Sequence, residues 1–276
     1  MSSLKSRFVF VIANILLLCL FLFLMSPLNL EWDALAVIVS FPSFFFGIFI
    51  AFILTDRYER FNSIKKLIAY ENSHWRNIIQ LSKGLDNKKQ IFNKLDDYFC
   101  SLYDYYLEDY HYTEPFFENI RVYFMKINFK TKLAEKIVDS LSELNHIRQE
   151  SIVTVRDKLS TLQWIIISLL TTSLIVAIFL SKSNHLILNL FFSLFIVLTT
   201  TILSVIRTYD QLKVQAEFWN WEVSQKLFDL MEKPRYYPKE FIDSGGVKPP
   251  SGVKFRLVTY LGKYPDNIKK IKVIRN

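Results

Sequence analysis

The sequence predicts an all-α integral membrane protein with four transmembrane helices and long helical cytoplasmic extensions. Three observations predict it. Of the 276 residues 51% are apolar, and they gather into four long uncharged blocks instead of spreading out as in a soluble domain. The polar segments that follow the blocks carry apolar residues at helical spacing. The basic residues fall almost entirely on one side of the blocks.

The first block is Phe8–Met25, with Asn14 as its main polar residue. Lys5 and Arg7 precede it, as in a signal peptide, but no small-x-small site follows, so it reads as a retained transmembrane helix. SPLNLEWD (26–33) is a short turn with Trp32 at the interfacial level. The second block, Ala34–Leu54, contains Pro42 and a run of phenylalanines. After it, Phe61, Ile64, Leu67, Ile68, Trp75, Ile78 and Ile79 keep a helical spacing, so this helix is expected to continue into water as one rod. Lys83–Lys89 reads as a turn, and 89–110 as a second helix that Pro115 ends or restarts.

A third helix, about 131–161, places Leu133, Ile137, Leu141, Leu144, Ile147 and Ile152 on one face. It meets the third block, Gln163–Leu180, without a breaker, so a continuous helix is expected there. SKSNH is long enough only for a tight hairpin into the fourth block, Leu186–Ile206. That block's Asn189, Ser193, Thr199, Thr200, Thr201 and Ser204 are expected to bond to a neighbouring helix or to their own backbone. The helix is expected to reach about residue 232, where Pro234 and Pro238 stop it. The tail to 276 holds eight basic residues from Lys248 onward and a short strand at Lys254–Leu261. The organisation is therefore 1–55 membrane, 56–161 cytoplasmic, 162–206 membrane and 207–276 cytoplasmic.

Of the 34 basic residues, two precede the first block, seventeen lie in 56–161 and fourteen in 207–276; only Lys182 lies in the hairpin. Cationic loops stay in the cytoplasm. This places both termini and the long middle segment inside a multi-pass cell-membrane protein.

Enzyme signals are absent from the sequence: there is no phosphate-binding glycine loop, HExxH, GxSxG or CxxC pair. An enzyme is not expected, nor a cofactor. Cys19 and Cys100 are too far apart in chain and setting to suggest a disulfide framework. Segment 95–120 carries seven acidic residues, six tyrosines and no Lys or Arg. There, Asp104, Glu108 and His111 can share a helical face and suit a divalent cation. A calcium or magnesium site needs several oxygens converging in a fixed loop. An amphipathic helix burying Phe99, Leu102, Tyr106 and Tyr110, with its acids on water or a basic neighbour, is therefore preferred, and no metal is assigned.

Arg57, Arg60, Lys65 and Lys66 follow the second block. They suit attraction to anionic headgroups, roughly 1 kcal/mol each, or a charged cytoplasmic mouth of an ion path. The basic tail likewise suits a membrane surface better than nucleic acid. Phe41, Phe45 and Phe49 recur every four residues and lie near one helical face. They are either a packing seam or a pore constriction.

This stretch resembles the bestrophin-like family. There the second membrane helix carries a neck of three apolar residues four apart, the first followed by proline. Here the run is Phe41-Pro42-Ser43-Phe44-Phe45-Phe46-Gly47-Ile48-Phe49, and Arg57-Tyr58-Glu59-Arg60-Phe61 resembles the family's arginine-aromatic exit. LSELNHIRQE and LSTLQW look like the bacterial branch. The resemblance implies a homopentamer in a bacterial inner membrane. Phe41, Phe45 and Phe49 would be its pore neck, Pro42 would shape it, and inorganic ions, chloride or another anion, would pass through it. The glycine that precedes the last neck residue in bestrophins is Ile48 here. The acidic run of the animal calcium clasp is missing after the fourth span, so calcium gating is not implied. The alternative from the residues alone is a non-conducting scaffold or signalling subunit whose helical domain binds a partner.

Overall fold

The computed structural model describes residues 32–105, 110–126, 132–182, 185–212, 221–243, 247–261 and 269–275. The chain divides into two compact units, Met1–Phe61 with Lys158–Val214, and Asn62–Asp157 with Gln215–Asn276. The expected first span, Phe8–Met25, lies outside the described residues.

In the first unit, helix α1 starts at Trp32 and runs unbroken to Ser82, its later part belonging to the second unit. Pro42 lies inside it. A proline removes one i→i−4 bond, and beside it Ser43 Oγ donates to the Val39 carbonyl at 2.6 Å. Helices α5 (Thr161–Leu180) and α6 (Leu186–Asp210) are the unit's other described helices. Phe46, Ile50 and Ile53 of α1 bury against Leu159, Ile167, Leu174, Ile178, Ile196 and Ile206. Side-chain hydroxyls of Thr171, Ser193, Thr199 and Thr201 each donate to a carbonyl four residues back. Their polar atoms are thus satisfied within their own helices, the second of the two expectations.

The expected continuous helix through 161 does not form. Helix α4 (Lys132–Arg156) ends, and α5 begins anew on a capping box. Ser160 Oγ accepts from Gln163 N at 3.2 Å, and Gln163 Oε1 accepts from Ser160 N at 2.8 Å. Serine competes for backbone groups and favours such caps over helix interiors. Helix α6 also stops earlier than expected, at Asp210, followed by Leu212 with φ 53°.

The second unit comprises the rest of α1, α2 (Lys88–Asp104), a single 3-10 turn (Tyr110–Thr113), α3 (Glu114–Lys126), α4 and α7 (Trp221–Leu230). Pro115 lies in the first turn of α3, where its missing N–H costs nothing. Helix α2 is shorter than the expected 89–110; of the residues expected on its apolar face, Phe99 is buried and Leu102 partly so, while Tyr106 lies outside the described residues. Trp75 anchors the core, its ring 4.9 Å from Tyr98, 5.4 Å from Phe99 and 6.1 Å from Phe117. Buried positions on α4 are Ile137, Leu141, Leu144, Arg148 and Ser151 among others. Leu133, expected on this face, is exposed.

The tail is more ordered than one short strand. After α7 come β1 (Arg235–Pro238), the short helix α8 (Lys239–Asp243), β2 (Lys254–Tyr260) and β3 (Lys269–Arg275). Gly252, with φ 78°, supplies the turn that leads into β2. The sheet order is β1-β2-β3, with β1 parallel and β3 antiparallel to β2. The face bearing Arg256, Val258 and Tyr260 meets α2. Arg256 forks onto Asp96 at 2.7 and 2.8 Å, Tyr260 donates to Asp104 at 2.8 Å, and Val258 joins the core.

Candidate functional site

Helix α1 in the first unit has two faces of opposite character. At about 100° per residue, Phe46, Ile50, Ile53, Arg57 and Arg60 share one face, and all are buried. Val37, Phe41, Phe44, Phe45, Ile48 and Phe52 share the opposite face, and all are exposed. Of the three expected neck residues, Phe41 is 66% and Phe45 45% exposed, with ring centroids 4.7 Å apart. Phe49 sits on the flank and packs partly against the α5–α6 core. Pro42 is half-buried between the two faces. Phe41 and Phe45 therefore form no packing seam with the described residues of α5 and α6.

The charged exit is a different matter. Arg57 and Arg60 are only 4% and 5% exposed. The Arg57 guanidinium forks onto Asp56 at 2.6 and 2.9 Å and reaches Asp210 Oδ1 at 3.4 Å. Arg60 donates to the Asp210 carbonyl at 3.1 Å. Asp210 Oδ1 also accepts from the Leu159 N–H at 2.8 Å. One residue at the end of α6 thus joins the α1 arginines to the segment that starts α5. Tyr209 adds edge contacts to Tyr58 and Phe61, with centroids 6.2 and 5.5 Å apart. Within the chain these arginines form an internal clasp: desolvated guanidiniums need acceptors, and an acid lies within reach. Lys65 and Lys66, on the part of α1 within the second unit, are exposed as expected.

Asp210 was missed by sequence reasoning. The available signal was a single acid just past the fourth block, at the same end of a helix as Arg57 and Arg60 just past the second.

In the acidic segment, Asp104 faces the tail strands. Its Oδ1 accepts from the hydroxyls of Tyr236 at 2.5 Å and Tyr260 at 2.8 Å, and its Oδ2 pairs with Lys269 at 2.5 Å. Burial, then the Asp104 carboxylate, push both phenols upward, which keeps them protonated and donating. Glu108 and the side chain of His111 lie outside the described residues. Among the described residues no group of three His, Cys, Asp or Glu converges to hold a metal. Two cations of the basic tail, Arg256 and Lys269, pair with α2's acids Asp96 and Asp104, so a basic neighbour for that helix comes from within the chain itself. Cys100 is buried beside them, and burial pushes its thiol up, away from reactivity.

A second buried ionic cluster lies wholly within the second unit. Arg148 is fully buried; it donates to the Tyr98 hydroxyl, to Thr113 Oγ1 at 3.2 Å and to Glu114 Oε2 at 2.9 Å. Tyr98 in turn donates to Glu71 at 2.8 Å, and Trp75 Nε1 reaches the same oxygen at 3.3 Å. The Arg148 guanidinium lies 4.4 Å from the Phe117 ring. The chain Arg148→Tyr98→Glu71 ties α4, α2 and α1, with burial holding the Tyr98 phenol protonated.

Fold and site together define a mostly helical protein in which, among the described residues, three helices are long and apolar enough to cross a membrane, within Val37–Ser82, Lys132–Leu180 and Leu186–Asp210. No protein-family model, curated protein or solved structure matches the chain.

Proposed function

We propose that this chain is a subunit of a bestrophin-like oligomeric ion channel, with the exposed aromatic face of α1 turned to a shared axis. The observation that carries the reading is the split character of α1. Among the described residues, Phe46, Ile50 and Ile53 supply its packing on α5 and α6, while Phe41 and Phe45 are exposed on either side of Pro42. Rings of such side chains oppose hydrated ions by dewetting until the ring widens. In this reading the first block is a fourth span, both termini are cytoplasmic, the assembly is a homopentamer in the cell membrane, and conduction is passive, of chloride or another anion. The chain has no catalytic role in it.

The test is a mass measurement of the purified complex, followed by bilayer recording of the wild type and of Phe41→Ala/Phe45→Ala/Phe49→Ala. A ring of subunits, with conductance or open probability raised several-fold in the triple variant, is the expected result. A stable monomer or dimer, or unchanged conductance and selectivity, overturns it.

A second reading, a non-conducting scaffold whose cytoplasmic unit binds a partner, is favoured by one specific observation, the uncovered strand at the edge of the tail sheet.

A further inference from the structure

The two edges of the three-stranded sheet are treated differently. Strand β1 is buried throughout, and its outer edge is closed by a side chain. Gln225 Nε2 donates to the Tyr236 carbonyl at 2.6 Å, and Gln225 Oε1 accepts from Tyr236 N at 2.9 Å. A glutamine amide there takes the place of a neighbouring strand. Strand β3, at the other edge, has no such cover among the described residues. Six of its seven residues are exposed, and among the described residues no strand pairs with its outer side.

The side chains of β3 sort by face. Residues directly opposite in an antiparallel pair share a face, and the register sets Lys269 against Tyr260, Ile271 against Val258, and Val273 against Arg256. These belong to the face that packs on α2, and the Lys269–Asp104 pair agrees with that. Val258 is fully buried, yet Ile271 beside it is 47% exposed and Val273 64%. The apolar layer under β2 therefore runs on past the cover that the described residues provide. The opposite face of β3 presents Lys270 and Lys272, both exposed.

We propose that β3 is a docking edge for an extended acidic segment of a partner protein, added as a fourth strand with apolar and acidic residues in alternation. Backbone groups along the edge supply the affinity and the two faces supply the selection. Apolar residues of the incoming strand cover Ile271 and Val273, while its acids, on the other face, meet Lys270 and Lys272. Charge opposes the β3 strand of a second copy as the occupant. Antiparallel addition of KKIKVIR to itself sets cations across from cations, which opposes pairing and is how edge lysines guard against self-aggregation. The same lysines attract an acidic strand. This inference stands whether or not the membrane helices conduct.

The experiment uses the full-length chain in mild detergent and a fluorescent peptide, VEVEVEV, with EEEVVVV as a control of equal composition. Fluorescence anisotropy is expected to show saturable binding of the alternating peptide, at least tenfold tighter than the control. Lys270→Glu/Lys272→Glu, at exposed positions that leave the fold intact by circular dichroism, is expected to weaken it at least tenfold. Ile271→Asn/Val273→Asn is expected to weaken it as well, with the charge unchanged. Hydrogen exchange is expected to slow at the amides of 269–275 when the peptide binds. Equal affinity for both peptides, or binding with no added protection at 269–275, overturns strand addition. Retained binding by the charge-reversed variant overturns the acidic selection. If phosphatidylserine vesicles bind the chain through Lys270 and Lys272 and the peptide does not compete, the edge serves a membrane surface and the proposal falls.

Discussion

Replacing Arg148 by methionine keeps most of the side-chain volume and removes the charge at the centre of the second unit. The consequences follow from the geometry. The bond to Glu114 weighs least, because that carboxylate is a third exposed and water replaces the lost donor. Thr113 and Tyr98 are buried, so their oxygens lose a charged donor with no solvent to replace it; such bonds contribute about 1.5–3 kcal/mol each. Glu71, also buried, keeps its bonds from Tyr98 and Trp75 but loses the nearby cation that offsets its charge. Breaking a buried ionic arrangement from one side costs about 3–5 kcal/mol, and that is the destabilisation expected for Arg148→Met. Arg148→Lys retains the charge but not the fork that reaches three acceptors, so about half the loss is expected. Adding Glu71→Gln to Arg148→Met removes the stranded negative charge and is expected to recover about 1–3 kcal/mol. Hydrogen exchange at the α2 and α4 amides of the full-length protein in detergent reads the opening free energy of this unit directly. A loss below about 1 kcal/mol in Arg148→Met, or strict additivity with Glu71→Gln, would refute the assignment of Arg148, Tyr98 and Glu71 to one cooperative network.

Two further outcomes test other parts of the structure. In the Asp210 clasp, Asp210→Asn keeps an oxygen for the Leu159 N–H and loses only charge, whereas Asp210→Ala leaves that buried amide without its acceptor. Thermal unfolding in detergent is expected to rank alanine as the worse variant by about 1–3 kcal/mol, and equal losses would show that the Leu159 bond contributes nothing. Burial raises the phenols of Tyr98, Tyr103, Tyr236 and Tyr260. The folded protein therefore holds those protons at a pH where the unfolded chain releases them, near 10. Stability from these groups is fully present below that pH and falls as pH rises past it. Melting temperature is expected to drop between pH 9 and 11, less steeply in Tyr236→Phe/Tyr260→Phe; an identical slope in that variant counts against the burial argument.

The parts of the fold that were readable in the sequence are those set by local periodicity. The long helix from the second block through Ser82, the turn after it and the Pro115 restart all depend on neighbours three or four residues apart, and all appear. Two helix continuations failed for local reasons that hydropathy does not register. Ser160 and Gln163 form a capping box inside what reads as one unbroken helix, and α6 turns at Leu212 before any proline. The sheet was harder to see because β1 is only four residues long, and its parallel partner β2 starts sixteen residues further on. Nothing in the local pattern of RYYP marks it as a strand.

The candidate site divides along the same line. That Phe41, Phe45 and Phe49 lie near one face follows from spacing alone, but which side of the helix the chain itself covers is a tertiary fact. Among the described residues the packing runs through Phe46, Ile50 and Ile53, with Phe49 on the flank. The partners of the charges are hard to read for a related reason. A charged residue next to an apolar block looks like a surface residue, yet Arg57 and Arg60 are buried against Asp210, 150 or more residues away. Arg148 carries the plainest local signal of the missed residues. The spacing Ile137, Leu141, Leu144 continues through 148 and 151, so a cation stands where the pattern requires a core residue. A charge at such a position costs too much unless partners are built around it. Its presence there was grounds to look for a buried acid and a tyrosine on the helices it faces, and Glu71 and Tyr98 are those residues.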